Sequence, residues 1–372
     1  MVTAIGIQKA VETALRAATS PETVVNVSGK VLGEKGPYVR VYVNDLFAVK
    51  VAIKASFDKE FAFSTTASEL RKIMAIPGDV SFDVSDSPVV RFVWGQNELK
   101  LRKADKEMPE MRKPGKDAKI FCIPSAIIKQ MCKDTLWVNE GNESFPNIRL
   151  KMEAKGGVGS LTVYAVDSKV VVKRQENFST MNPDFEEIVD INARHLKTLL
   201  STIEESKLYI IISDGVLFFQ TESSAIDAKY IVSEHVVPDA ERILSNKTAK
   251  YSVSFEKSEM LDKLRLASVF TGSDRTAKAV LSFLKDETRV EAITETGDFA
   301  NMQVLSELSD DNACGTRAAF SMKLMQDLLR VYPDDTVKIE FTSETQPFWM
   351  CAEDGGEEDK SLLAACFMPL KI

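Results

Sequence analysis

NARHLKTLLSTI, residues 192–203, carries its apolar side chains at helical spacing. On a wheel of roughly 100° per residue, Ala193, Leu196, Leu199, Leu200 and Ile203 form one stripe. Arg194, Lys197, Thr198, Ser201 and Thr202 stand opposite, without one carboxylate. Such a helix buries one side and offers a cationic side to something else.

Five more windows read the same way: 7–18, 67–75, 124–136, 257–270 and 321–331. They fall into pairs. Starts within a pair lie 60, 68 and 64 residues apart, and successive pairs begin 117 and 133 apart. Around them lie strand-like runs such as RVYV, AVKVAIKA, VVRFVW, SLTVYAV, KLYIIIS, YSVSF and TVKIEF, with GGVGS (156–160) and SDGV (213–216) as hairpin turns. Each pair shows one order: strand, helix, about four strands, helix, about three strands. This is a triplicated architecture without visible sequence identity between the copies. Composition shifts at KADKEMPEMRKPGKDAK (103–119), with Pro109, Pro114 and Gly115, and at NKTAK (246–250). Three α+β domains are expected, 1–117, 118–246 and 247–372, each with two helices covering one face of antiparallel sheets.

An apolar fraction of 44% lets each domain build a core. No run of 18 apolar residues exists, and Met1–Ile7 lacks a signal-peptide layout, so a cytoplasmic protein that avoids the membrane is expected. The five cysteines, Cys122, Cys132, Cys314, Cys351 and Cys366, form no CxxC and read as small buried hydrophobes. With only His195 and His235, a metal centre lacks ligands.

The net charge of −8, taken alone, argues against nucleic acid. Its distribution argues otherwise. The six windows hold 13 Lys or Arg against 6 Asp or Glu, a balance of +7, which leaves −15 for the remainder. The cationic faces present Lys9 and Arg16; Arg71 and Lys72; Lys129 and Lys133; Arg194 and Lys197; Lys263 and Arg265; Lys323 and Arg330. A charged helix face is ordinarily just solvated. Six of six leaning basic within an acidic chain is what a polyanion-facing surface requires, touching phosphates without reading bases. Helices of about 10–12 Å diameter set side by side leave a bore of about one helix width for six, and roughly 30 Å for twelve. Duplex DNA fits only the larger ring, so two chains are needed, matching the preference for symmetric dimers.

At this point the whole chain resembles the bacterial DNA polymerase III beta sliding clamp family. FMPLKI (367–372) is similar to its Met-Pro-x-Arg-Leu ending, and LTVYAVDSKVVVKRQ (161–175) to its middle-domain strand-turn-strand segment. VVPDAERIL (236–244) is similar to its Phe-Pro-Asp-Tyr-x-x-Leu segment. The resemblance implies a head-to-tail homodimeric ring around duplex DNA, set there by an ATP-driven clamp loader, that tethers the replicative polymerase. It further implies a pocket between the second and third domains for short linear peptides. Carried over by position, that pocket takes Val166, Lys169, Val170 and Val171 from the middle segment, and Cys366, Met368, Pro369 and Leu370 from the tail. The family's Thr, Gly, His and Arg around Asp167 are here Val166, Ser168, Lys169 and Val170, which makes that side more apolar. The first domain matches least: TSPETVVNV (19–27) stands where the family has Thr-Leu-Pro-Ile-Leu.

Catalysis is not expected. P-loop, G-x-S-x-G, H-E-x-x-H and G-x-G-x-x-G patterns are missing from the sequence. GEKGPY and GGVG read as turns, and SDDNA and AEDGGEED as solvated hairpin tips rather than calcium loops. No cofactor is called for. The alternatives are a triplicated scaffold that binds proteins without encircling DNA, and a trimeric ring of two-domain subunits; three helix pairs per chain favour the dimer.

Overall fold

A computed structural model describes residues 2–4, 7–31, 37–45, 48–54, 57, 60–76, 80–84, 88–104, 114–222, 226–231, 237–271, 278–293, 299–354 and 361–371. The side chain of Lys9, His235, the GEKG turn at 33–36, linker residues 105–113 with Pro109, the acidic residues at 355–359 and Ile372 lie outside the described residues.

Six times a strand runs into a helix, and the helix into a three-stranded antiparallel meander. The first motif is β1 (Val2–Ala4), α1 (Ile7–Leu15), β2 (Val24–Val31), β3 (Pro37–Asn44) and β4 (Ala48–Lys54). The second is β5 (Phe61–Thr66), α2 (Ala67–Arg71), β6 (Val80–Asp83), β7 (Val89–Trp94) and β8 (Asn97–Arg102). Next come β9 (Lys119–Pro124), α3 (Ser125–Thr135), β10 (Asn147–Lys155), β11 (Val158–Val166) and β12 (Val170–Ser179). The fourth holds β13 (Phe185–Asn192), α4 (Ala193–Thr202), β14 (Lys207–Ser213), β15 (Val216–Thr221) and β16 (Ile226–Ile231). After a short helix, α5 (Ala240–Ser245), the fifth has β17 (Tyr251–Glu256), α6 (Lys257–Thr271), β18 (Lys278–Phe283), β19 (Glu287–Ile293) and β20 (Phe299–Leu308). The last is β21 (Arg317–Ser321), α7 (Met322–Val331), β22 (Thr336–Phe341), β23 (Phe348–Asp354) and β24 (Ser361–Phe367).

The motifs couple by exchanging their leading strands. β5 pairs with β2 and β1 with β6; β13 with β10 and β9 with β14; β21 with β18 and β17 with β22. The last strands of two meanders then pair antiparallel with those of others, β4 with β16 and β12 with β24. Among the described residues, β8 pairs only with β7, and β20 pairs beyond β19 only over Ser306–Leu308, with β17. The resulting architecture is α+β, with helices on antiparallel sheets of four, eight and twelve strands. By contact the chain falls into two compact units: 1–129 with 194–234, which holds the four- and eight-stranded sheets, and 130–193 with 235–372, which holds the twelve-stranded one.

Local chemistry sets the element ends. Thr66 and Ser321 turn their hydroxyls onto the amides of Glu69 (3.3 Å) and Leu324 (3.4 Å), capping α2 and α7. Gly156 and Gly157 (φ +58° and +88°) form the β10–β11 turn, and Asp214 and Gly215 (φ +51° and +69°) the β14–β15 turn, as the sequence predicts. Gly29 on β2 lies under the Phe61 ring, where a Cβ would come within 2.2 Å of the ring carbon Cε1. In the unit of the long sheet, Phe348 meets Phe320 edge to face (4.9 Å), stacks on Phe341 (5.2 Å) and tilts against Phe367 (6.0 Å). Phe367 thus nails the end of β24 into the core just before the tail.

Candidate nucleic-acid interface and partner site

The six expected helices are α1, α2, α3, α4, α6 and α7, and their apolar stripes are buried: Ile7, Val11 and Ala14 in α1, Leu196, Leu199 and Leu200 in α4, Met325, Leu328 and Leu329 in α7. Thr202 departs from its expected place. It is fully buried, its hydroxyl donating to Leu199 O at 2.6 Å.

Within each couple, a side chain of the first helix closes the carboxyl end of the second, which after α2 is the end of the 3-10 turn Lys72–Ala75 that extends it. Gln8 Nε2 donates to Ile76 O at 2.8 Å, Lys129 Nζ to Ile203 O, and Lys257 Nζ to Tyr332 O at 3.0 Å. These carbonyls have no intrahelical donor, so a cation or amide there is stabilising. Lys129 is therefore half-buried and its ammonium serves the fold.

The other cationic candidates are mostly exposed, and several are balanced by acids one turn away. Lys72 pairs with Glu69, Arg265 with Asp262 (3.2 Å), and Lys323 and Arg330 (2.9 Å) converge on Asp327. Arg16 lies just past α1, donating to Ser201 O at the end of α4 (2.6 Å) and pairing with Glu12 at 3.4 Å. Arg71, Lys133, Arg194 and Lys197 are exposed, and Lys263 is half-buried. The cationic faces are real but partly neutralised in place.

At the β12–β24 junction the expected pocket residues divide. Val166, Val171 and Cys366 are buried in one cluster with Tyr164, Val237, Ala240 and Trp349, against which Leu244 and Ala249 pack. Val170 is buried as well, but the two-residue period of β12 turns it to the opposite face, where it pairs in register with Phe367. Lys169 and Met368 are exposed, and Pro369 and Leu370 half-buried. The Asp167 carboxylate accepts from the amides of Lys169 (2.7 Å) and Val170 (2.8 Å), shaping the β11–β12 turn.

The tail is tied at three points. Met368 N donates to Lys169 O (2.8 Å), Leu370 N to Ala319 O (2.7 Å), and Lys278 Nζ to Lys371 O (2.9 Å). An apolar ending thus continues the sheet in place of fraying.

Helix α5 covers the cluster. Asp239 caps it by accepting from Arg242 N (3.1 Å), and the segment before it is fixed by Val237 N donating to Asp190 (3.0 Å), itself paired with Arg149 at 2.8 Å. Tyr164 donates to Glu241 at 3.0 Å, and Lys173 lies 5.7 Å from the Tyr164 ring centre. Burial, reinforced by Glu241, pushes the Tyr164 phenol up, and burial raises the Cys366 thiol to about 11. The residues that sequence reasoning missed are Tyr164, Val237, Ala240, Leu244 and Trp349. The VVPDAERIL segment signals three of them; Trp349 carries no signal.

Below this surface Arg174, 9% exposed, lies between Asp134 Oδ2 (3.4 Å) and Glu176, which also accepts from Ser361 of β24 at 3.0 Å. Burial pushes Asp134 up to about 6 against the pull of Arg174.

The features weighed for chemistry stay structural. His195 is half-buried against Tyr230 (ring centres 5.7 Å apart), and burial and Arg194 lower its pKa. Asp310 caps a turn by accepting from Asn312 N at 2.8 Å. Cys314 and Cys351 are exposed, against expectation, because one lies in that turn and the other faces outward on β23. Among the described residues no group of three or more His, Cys, Asp or Glu is placed to hold a metal ion, and no helix is long and apolar enough to cross a membrane.

No protein-family model matches the chain. It is 24% identical over 297 residues to the beta sliding clamp of Halalkalibacterium halodurans, covering 76% of this chain and 73% of that one. Its fold superposes on the Bacillus subtilis DNA polymerase sliding clamp with a TM-score of 0.82 at 15% identity, over 100% of this chain and 99% of that. The beta sliding clamp of C. crescentus gives 0.83 at 13% identity, over 100% of both.

Proposed function

We propose that the chain is a divergent member of the beta sliding clamp family, two copies of which close head to tail around duplex DNA and tether a DNA polymerase. The three couples of motifs are then three clamp domains, 1–117, 118–246 and 247–372. One observation carries the reading. Six meanders end in six last strands; among the described residues four of these are joined in antiparallel pairs, and β8 and β20 have no such joint. A third joint of the same kind, β20 of one copy to β8 of the next, closes a ring of two.

Apolar surface at that edge supports the joint. Leu305 on β20 is 75% exposed, and α6, which packs on β20, exposes Leu266 (49%) and Val269 (74%). Large aliphatic side chains left in water in this way mark a surface that expects a partner. The cationic helix faces then meet DNA phosphates without reading sequence, the exposed Arg71, Lys133, Arg194 and Lys197 among them. Partner peptides of the polymerase and the loader dock at the cluster beneath α5 and the tail. The chain works as a non-catalytic subunit in the cytoplasm.

The test is topological. Loaded by an ATP-driven loader, the protein should stay on nicked circular duplex and slide off once that DNA is cut linear. Equal retention on linear DNA refutes encirclement, and a monomer at micromolar concentration refutes the joint.

A further inference from the structure

Trp349 is 5% exposed, and its indole Nε1 is buried without a hydrogen-bond partner among the described residues. It sits on β23 in register with Cys366 of β24 and Glu340 of β22. The neighbours that share its cluster are the aliphatic Val166, Val171, Val237 and Ala240, with Cys366 and with Tyr164, whose hydroxyl donates to Glu241. Buried donors in native proteins are nearly always satisfied, so this one is waiting for an acceptor.

We propose that Trp349 is the polar anchor of the peptide site, its N–H taking a neutral amide carbonyl of the bound segment; this rests on reading the cluster as that site. A carboxylate is the wrong acceptor. The cluster's polar edge already holds Glu241, which accepts from Tyr164 and lies 3.9 Å from Lys173, so a second carboxylate brought to this edge would meet like charge while being desolvated. Leu244 and Ala249 are only partly buried against the cluster and are the side chains that must shift to admit the segment. The carbonyl belongs either to the main chain of the peptide or to an Asn or Gln side chain.

Calorimetric titration of the intact protein with Ac-Leu-Leu-Gln-Leu-NH2 and Ac-Leu-Leu-Met-Leu-NH2 distinguishes these sources. Trp349→Phe should weaken binding by about five- to tenfold, the worth of one neutral hydrogen bond. Weakening of both peptides assigns the acceptor to the main chain, and weakening of the Gln peptide alone assigns it to the side chain. Affinities within twofold of wild type for both overturn the proposal. If the wild-type protein binds neither peptide, the reading of the cluster as a peptide site falls with it. Because Phe also changes packing volume, benzothienylalanine at 349, which keeps the two rings and lacks the N–H, must reproduce the loss.

Discussion

The proposed joint between β20 and β8 should be broken by charge at its apolar edge, with Leu305→Asp and Val269→Asp combined. The exposed fractions of Leu305, Val269 and Leu266, 75%, 74% and 49%, amount to about two whole side chains. At about 1.5–3 kcal/mol for each aliphatic side chain removed from water, this edge contributes about 3–6 kcal/mol per joint before association costs. The two replaced residues supply about three quarters of that, so each joint should lose about 2–4 kcal/mol, more where a carboxylate is left desolvated. A loss of that size raises the dissociation constant at least about 30-fold. Sedimentation velocity from 0.1 to about 30 µM should show a wild-type dimer and a monomeric double variant, because affinity changes of this order cross that range. Both positions face water in the single chain, so thermal stability of the monomer should move by no more than ~0.5 kcal/mol per site. An unchanged dimer in the double variant refutes the argument, since it would place the contact away from these side chains.

Reversing Arg194 and Lys197 together to Glu should reduce retention on nicked circles and flatten its salt dependence by about two phosphate contacts. Melting should stay near wild type, and unchanged retention would remove α4 from the DNA surface. Asp134 gives a pH signature. Burial raises its folded pKa to about 6 from 3.8, so its favourable contribution is complete below about pH 4 and is lost as pH rises through 6. Asp134→Asn should therefore gain stability relative to wild type between pH 4 and 7 in parallel urea titrations, and a pH-independent difference would refute the assignment.

The helices were legible because each buries one face against a sheet, which imprints a 3.6-residue period on neighbours in sequence. The same windows carry the segregated charge. The length-two period of the meanders was legible for the same local reason. The exchange of leading strands was not: VTA, KIFCIP and RAAFS are short, run straight into helices and find their partners far along the chain. Helix α5 spans six residues, too few for a period to register. In the proposed partner site, motif resemblance pointed to Val166, Val171 and Cys366, which the structure gathers in one buried cluster, whereas Trp349 joins that cluster from a strand with no motif at all. Lys129 illustrates the limit on the charged side. A wheel gives its direction from the helix axis, but not the carbonyl of Ile203 that its ammonium finds.

Because each meander takes a flanking strand from its sibling, half a couple is a sheet lacking a rib. On the ribosome, β9 must wait for β14 to emerge, and β17 for β22, with backbone amides bare in the interval. Cuts placed between α1 and α2, or between α6 and α7, should therefore give fragments that are insoluble apart and recover only when mixed, whereas a whole couple carries every leading strand its own meanders need.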